Sequence, residues 1–140
     1  MYSADRDAYR RQFVTAFQRH RAGAPLEPLE RQLVAVILEH PEYHDLLADP
    51  ERALGADFPV EAGQTNPFLH MAMHLAIREQ VATDRPAGVA EVFRRLAARG
   101  DPLAAEHAMM ECLGRVLWAA QRGNTLPDEG EYLDCLRKLL

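Results

Sequence analysis

The sequence of 140 residues predicts an all-α fold, a single compact bundle of about five to six helices over residues 1–140. Apolar side chains recur every three or four residues along most of the chain, which is the period of a helix packed on one side. Two helix-start signals, Asn66-Pro67 and Asp101-Pro102, combine a capping side chain with a proline at the first helical position. No stretch alternates apolar and polar residues for long enough to predict a strand. The length suits one domain with an ordinary hydrophobic core.

Two long helices are predicted in the first part of the chain. Residues 3–21 carry an apolar stripe that includes Phe13 and Phe17, and acidic residues in the first turn complement the helix dipole. Residues 28–39 begin with Pro28, whose missing N–H costs nothing at the first helical position. Glycine and proline separate the two stretches, so we expect a turn between them.

Pro41 interrupts the second helix, because a proline clashes with the preceding helical turn and has no N–H to donate. Residues 40–47 are expected to form a second short helix at an angle to the first. Another single helical turn follows Asp49-Pro50. A surface loop is predicted over residues 55–65, which show no clear period.

Four helices are predicted in the second half of the chain. The first and the third start at the two cap-and-proline signals, and Gly100 and Gly123 fit the glycine that commonly follows a helix. Inward-facing apolar residues at helical spacing support these helices. In chain order, they cover residues 67–82, 88–98, 102–122 and 128–139.

Composition and charge exclude several functional classes. Apolar residues make up 48% of the chain and charged residues 26%, as in ordinary globular proteins. The net charge of −5 is spread without a basic stripe, so we expect no nucleic-acid partner. No apolar run reaches the roughly 18–20 residues of a membrane span, and no signal peptide is recognisable. We therefore expect a cytoplasmic protein with no membrane partner, and we leave open a homodimer and the identity of any small-molecule ligand.

The two cysteines are expected to be reduced. Cys112 and Cys135 lie far apart on predicted helices, without the close spacing of a redox or zinc motif. A cytoplasmic location also argues against a disulfide framework. We therefore predict two free thiols, buried or half-exposed.

Two pairs of side chains, each spaced four residues apart, predict a metal site. His70 and His74 share one face of their helix, and His107 and Glu111 share one face of a later helix. Side chains at i and i+4 stand about 5–6 Å apart at Cβ, which lets both reach one ion. Imidazole with carboxylate suits zinc, iron or manganese, and facing helices build such sites in bundle cores. We therefore predict a transition-metal cofactor, zinc or iron, held by these four residues.

His40 and His44 form a third pair at the same spacing and are predicted as additional ligands. If Pro41 only kinks the helix, all these groups converge and can hold two metal ions with ligands of the hemerythrin type. If Pro41 ends the helix, His40 is a natural cap residue and the pair takes no part in the site. The sequence leaves open whether one ion or two ions bind.

Three functions are compatible with these residues. The first is a metal-binding bundle, which would be structural or hydrolytic with zinc and oxidative with a redox metal. The second is a metal-free structural or protein-interaction bundle, in which Glu111 and the histidines form a buried hydrogen-bond network. The third is an enzyme that uses His107 and Glu111 as an acid–base pair. Arg78 is expected at the surface, and the alternatives are that it pairs with Glu111 or holds an anionic ligand.

Several stretches resemble the motifs of a bacterial family. HPEYH, NPFLHMAMHLAIREQ, TDRPAGV and EHAMMECLGRVLWAAQR are similar to motifs of the family known as Domain of Unknown Function 1841. The resemblance extends from about the second helix to the C-terminus, and it implies a small cytoplasmic bacterial protein with no assigned activity. The residues that match are His40, Pro41, His44, Asn66, Pro67, His70, His74, Glu79, Gln80, His107, Glu111, Trp118 and Gln121.

Overall fold

The computed structural model describes residues 2–58 and 66–140. Over these residues the chain forms eight α-helices, one short 3-10 helix at Pro41–Tyr43 and no strand. No helix in this part of the chain is long and apolar enough to cross a membrane. The α-helices are α1 (Tyr2–Arg21), α2 (Pro28–Leu38), α3 (His44–Leu47), α4 (Pro50–Gly55), α5 (Pro67–Thr83), α6 (Val89–Ala97), α7 (Pro102–Gly123) and α8 (Glu129–Lys138).

The all-α prediction is confirmed, whereas the predicted number of five to six helices is too low. The six long helices all form, and each end lies within one residue of its predicted position. The two additional helices, α3 and α4, are the short segments expected after Pro41 and Asp49-Pro50. Most of the loop predicted over 55–65 lies outside the described residues.

The chain divides by its internal contacts into two compact units, Met1–Leu75 and Ala76–Leu140. The division falls inside α5, so this helix contributes its first half to one unit and its second half to the other. Each unit has its own set of buried side chains. A single domain over residues 1–140 stays a prediction.

The first unit is built on a core of aromatic and aliphatic side chains. α1 packs against α2, α3 and α4, and the ring of Phe13 meets the ring of Phe68 edge-on, with centroids 5.8 Å apart. Arg10 is also buried, and its guanidinium donates to the carbonyls of Ala53 and Ala56 at the end of α4. A helix end leaves such carbonyls without backbone donors, which explains why a cation is tolerated here. The core consists of Phe13, Val14, Ala16, Phe17, Leu33, Val34, Val36, Ile37, Leu46, Leu47, Ala53, Phe68 and Met71.

The predicted cap signals start the two long helices that carry the candidate site residues. Asn66 Oδ1 accepts a hydrogen bond from the backbone N–H of Phe68 at 3.0 Å. Asp101 Oδ1 accepts one from the backbone N–H of Leu103, also at 3.0 Å. Each cap satisfies an N–H group that the first helical turn leaves without a partner. The cap at Asn66 therefore sets where α5 begins.

In the second unit, α6, α7 and α8 pack against one another. Tyr132 and Leu136 of α8 are buried, and the Tyr132 hydroxyl donates to Gln80 Oε1 on α5 at 2.5 Å. Arg99, which follows α6, donates to the backbone carbonyl of Leu139 at 3.0 Å. Burial and hydrogen bonds near both ends therefore hold α8 against the rest of this unit.

The prediction that both cysteines are reduced is wrong in this structure. Cys112 of α7 and Cys135 of α8 form a disulfide. The turn after α7 folds α8 back along it, so two residues that are 23 positions apart in sequence have Cα atoms 5.7 Å apart. Such a Cα separation is usual for a disulfide. The sequence spacing did not indicate this pairing, because the pairing depends on how the two helices are aligned.

The buried phenol of Tyr132 predicts a loss of stability at alkaline pH. Burial raises the pKa of Tyr132 to about 12. Because this pKa lies above the ordinary value of about 10, stabilisation by the protonated phenol is complete below about pH 10 and is lost as the pH rises through about 12. We expect the free energy of unfolding in urea to fall over this range.

A Tyr132→Phe variant provides the control, because it has no phenol to ionise at this position. Its alkaline loss should be smaller but not absent, since burial also raises the pKa of Tyr9 to about 12. An alkaline loss equal to that of the wild-type chain would show that other groups cause it.

Candidate metal centre

His70 and His74 lie one turn apart on α5, as predicted, and their imidazole rings meet. Their Nε2 atoms are 3.3 Å apart, and their ring centroids are 4.9 Å apart with the planes at 76°. His74 is fully buried, whereas His70 is half-buried. The pair therefore brings two nitrogen atoms side by side within the first unit.

His40 reaches the same place from the end of α2. That helix ends at Leu38, and Pro41 keeps His40 out of the helical conformation, with φ −128° and ψ 66°. His40 is buried, and its ring centroid lies 5.1 Å from that of His70 and 4.9 Å from that of His74. One helix end and one helix interior thus bring three imidazoles together. We call His40, His70 and His74 the histidine cluster.

A backbone hydrogen bond determines which nitrogen of His40 is left to bind a metal. His40 Nδ1 lies 2.8 Å from the carbonyl oxygen of Val36. A carbonyl oxygen only accepts, so Nδ1 carries the proton and donates it, and Nε2 of the neutral ring keeps its lone pair. Histidines that bind metals nearly always donate their second ring N–H in this way, which orients the ring and raises its basicity.

The spacing of the histidine cluster fits one small ion. One ring nitrogen from each of the three residues lies within 4.8 Å of the others. A tetrahedral zinc ion at about 2.0–2.1 Å from its nitrogen ligands holds them about 3.3–3.4 Å apart. The two Nε2 atoms on α5 already stand at this separation, 3.3 Å, and His40 lies within reach of the same ion.

Tyr43 packs on the histidine cluster and was absent from the predicted site. Its ring stacks on that of His40, with centroids 5.5 Å apart and planes 2° apart, and it meets the ring of His70 edge-on at 6.3 Å. Burial and, to a smaller extent, the charge of Glu42 raise the pKa of Tyr43. Its phenol therefore stays protonated at neutral pH and helps to position the ring of His40. The HPEYH motif contains Tyr43, but the spacing of four residues indicated only the two histidines of the motif as metal ligands.

His44 does not join the histidine cluster, although it was predicted as a ligand. Its Nε2 donates to the carbonyl of Ile37 at 2.8 Å, and its ring lies against that of Phe17 with centroids 5.0 Å apart. In a continuous helix this carbonyl would accept from residue 41, but Pro41 has no N–H. His44 supplies a replacement donor at the end of α2, together with the backbone N–H of His40. The two-ion arrangement that required His44 has no support from this geometry.

His107 and Glu111 lie on α7 in the second unit, one turn apart as predicted. Both side chains are exposed. Exposure removes the cost of burying an unpaired carboxylate, so Glu111 does not require a metal or a cation for stability. Their membership of a metal site therefore stays a prediction from their spacing.

The buried carboxylate of α7 belongs to Glu106 rather than to Glu111. Arg78 donates from Nε and Nη2 to the two carboxylate oxygens of Glu106, at 2.9 and 3.1 Å. The side chain of Glu106 is 8% exposed and that of Arg78 is 29% exposed. Two parallel hydrogen bonds between opposite charges make this a strong and directional contact. The expectation that Arg78 lies at the surface or pairs with Glu111 is therefore wrong.

Comparisons with known proteins confirm the resemblance noted in the sequence. The family model described as Domain of unknown function (DUF1841) matches residues 5–138, nearly the whole chain. No curated protein and no solved structure gives a significant match. The function must therefore be inferred from the geometry of the site.

Proposed function

Since the chain belongs to the family described as Domain of unknown function (DUF1841), we propose a function from the histidine cluster itself. The protein binds one transition-metal ion through His40, His70 and His74. The ligand nitrogens are Nε2 of His70, Nε2 of His74 and Nε2 of His40. His107 and Glu111 are predicted additional ligands, and a separate variant tests each of them.

The contact between His70 and His74 is the observation that supports this proposal most directly. Hydrogen bonds from N–H groups are usually about 2.7–3.2 Å long. The Nε2 atoms are 3.3 Å apart, slightly beyond that range and equal to the ligand separation of a zinc tetrahedron. The bond from His40 Nδ1 to Val36 adds independent support, because it leaves Nε2 of a buried ring ready to accept a cation.

Zinc is the metal that we propose first, with iron as the alternative. The histidine cluster consists of nitrogen donors, and zinc binds three histidines in a tetrahedral arrangement with one further ligand. Non-haem iron(II) typically uses two histidines and one carboxylate. Glu111 is the predicted ligand that would supply such a carboxylate, so the iron alternative depends on it.

The fourth ligand determines what chemistry the ion supplies. With three protein ligands, zinc keeps a position for water and lowers the pKa of that water to about 7, which suits hydrolysis. With a fourth histidine the coordination is closed and the ion is structural. His107 is the predicted residue for that position, so its removal distinguishes a structural site from an open one.

Elemental analysis of the chain purified without a histidine tag tests the proposal. After reconstitution we expect about one equivalent of zinc per chain. Zinc should also raise the thermal midpoint, because a ligand that binds only the folded state stabilises it. Binding should weaken as the pH is lowered, since protons compete for the imidazole lone pairs. A content below about a tenth of an equivalent of any transition metal after reconstitution would contradict the proposal.

A metal-free structural role is the second candidate, and the same contact supports it in a different way. If Nε2 of His74 donates to Nε2 of His70, the histidine cluster is a hydrogen-bond network. Such a network stabilises the packing of the residues where α2 ends. In that case a chelator leaves the urea unfolding curve unchanged, and added zinc does not stabilise the chain. A midpoint that falls on chelation and recovers with zinc supports the metal site instead.

A further inference from the structure

The Cys112–Cys135 disulfide lies in the second unit, and its two residues differ in exposure. Cys112 is 1% exposed, whereas Cys135 is half-buried. Cys135 also lines a groove of about 320 Å³ formed by residues of α7 and α8. A small thiol that approaches from solvent can therefore reach Cys135, while the packing of α7 shields Cys112.

The bond is not the only contact that holds α8 in place. Tyr132 and Leu136 are buried, and the Tyr132 hydroxyl donates to Gln80. Near the other end of α8, Arg99 donates to the carbonyl of Leu139. Because these contacts do not involve sulfur, α8 can stay packed when the disulfide is reduced.

We propose that the Cys112–Cys135 disulfide is a thiol–disulfide exchange site, with Cys135 as the sulfur that exchanges with a low-molecular-weight thiol of the glutathione class. Accessible bonds between helices that stay folded after reduction are suited to reversible chemistry, whereas structural disulfides resist reduction. In a reducing compartment the pair stands as a dithiol, and in an oxidising one it stands as the disulfide. The site is independent of the proposed metal-binding function.

The exchange takes place in two steps that balance in atoms and electrons. A small thiolate attacks Sγ of Cys135, the bond to Cys112 breaks, and Cys112 Sγ leaves with the electron pair and takes up a proton. A second small thiolate then attacks the small-thiol sulfur of the mixed disulfide, which releases Cys135 as a thiolate. Two electrons pass to the protein, and the two small thiols leave as one disulfide. The small disulfide is the oxidant in the reverse direction.

The charges around the groove do not by themselves select the attacked sulfur. Arg115 and Lys138 line it beside Cys135 and favour a thiolate there, but Glu131 and Asp134 line it as well and oppose that effect. Two cations and two carboxylates leave the lining without net charge. The difference between the two cysteines therefore follows from access, which is the property that the experiment measures.

Site-resolved trapping of the full chain tests the proposal. The reduced protein is treated with glutathione disulfide for increasing times, quenched with acid, and the adduct is located by peptide mass spectrometry. We expect the first glutathione adduct on Cys135, in roughly tenfold or greater excess over Cys112. Equal adduct formation on both cysteines, or a first adduct on Cys112, would overturn the proposal.

Two matched variants and a folding measurement complete the test. Cys112→Ser keeps the accessible thiol and should form a stable adduct with glutathione, whereas Cys135→Ser keeps the buried thiol and should react at least about tenfold more slowly. Circular dichroism of the reduced wild-type chain should retain the helical signal of the oxidised chain. A large loss of helix on reduction would show that the fold requires the disulfide, and it would also overturn the proposal.

Discussion

Replacing His74 by alanine should weaken zinc binding by roughly 100-fold or more, which corresponds to about 2.7 kcal/mol of binding free energy. His74 is fully buried, and its Nε2 stands 3.3 Å from that of His70. Its removal takes away one of three proposed nitrogen ligands and also the neighbour that holds the second at ligand spacing. The dissociation constant is measured by competition with a chromophoric chelator at fixed pH.

His20→Ala is the matched control for this change. His20 is an exposed histidine in the last turn of α1 and lies outside the histidine cluster, so its removal should leave zinc affinity unchanged within about twofold. His70→Ala should reduce zinc affinity by a similar factor. Because His70 is half-buried, this change does not leave a fully buried cavity, as His74→Ala does. Zinc affinities within threefold of one another for the wild-type chain and for both cluster variants would exclude the site.

The same measurement of zinc affinity tests whether His107 and Glu111, the predicted ligands in the second unit, bind the ion. If His107 closes the site, His107→Ala should reduce zinc affinity by about tenfold or more while leaving about one equivalent bound. Glu111→Ala should reduce zinc or iron affinity only if the carboxylate is a ligand of that ion, and iron is the metal that such a carboxylate suits better. A His107→Ala variant with wild-type zinc affinity would show that the cluster on the first unit acts without it.

Replacing Glu106 by alanine should lower the free energy of unfolding by about 3 kcal/mol. The change removes a buried carboxylate that accepts two hydrogen bonds from Arg78 and leaves the guanidinium partly buried without this partner. Arg78 is 29% exposed, so part of its lost interaction is replaced by water, which keeps the cost near the lower end for buried pairs. Urea unfolding followed by circular dichroism measures the difference.

Glu91→Ala is the matched control for Glu106→Ala. Glu91 pairs with Arg94 on the surface of α6, with side chains 52% and 71% exposed, so its removal should change the free energy by less than about 0.5 kcal/mol. Replacing the buried pair together, with Arg78→Met and Glu106→Leu, should recover much of the lost stability, because neither charge is then left behind. Equal effects of Glu106→Ala and Glu91→Ala would show that burial of the first pair has no energetic importance.

Local sequence signals accounted for the helices and for one pair in the candidate site. Caps and prolines act within a single turn, so Asn66-Pro67 and Asp101-Pro102 determined where α5 and α7 begin without reference to the rest of the fold. Spacing on a helix is equally local, and it placed His70 and His74 on one face. The short helices after Pro41 and Pro50 were expected as segments but were not counted among the five to six.

The spacing of residues in the sequence could not predict contacts between residues on different helices. Arg78 pairs with Glu106 across 28 residues, and Cys112 bonds to Cys135 across 23. Each pairing depends on the alignment of two helices, and a shift of either helix by one turn would bring different side chains together. Spacing therefore predicted neither the buried carboxylate of α7 nor the disulfide.

By itself, the sequence determined the all-α class, the ends of the six long helices and the pairing of His70 with His74, because each depends on forces that act within one or two helical turns. Only the tertiary structure decided which third histidine meets that pair. His40 turns its ring to the cluster, whereas His44 donates to the Ile37 carbonyl that Pro41 leaves without its helical donor. The choice depends on how the end of α2 packs beside α5, and this packing brings together residues that are 30 or more positions apart.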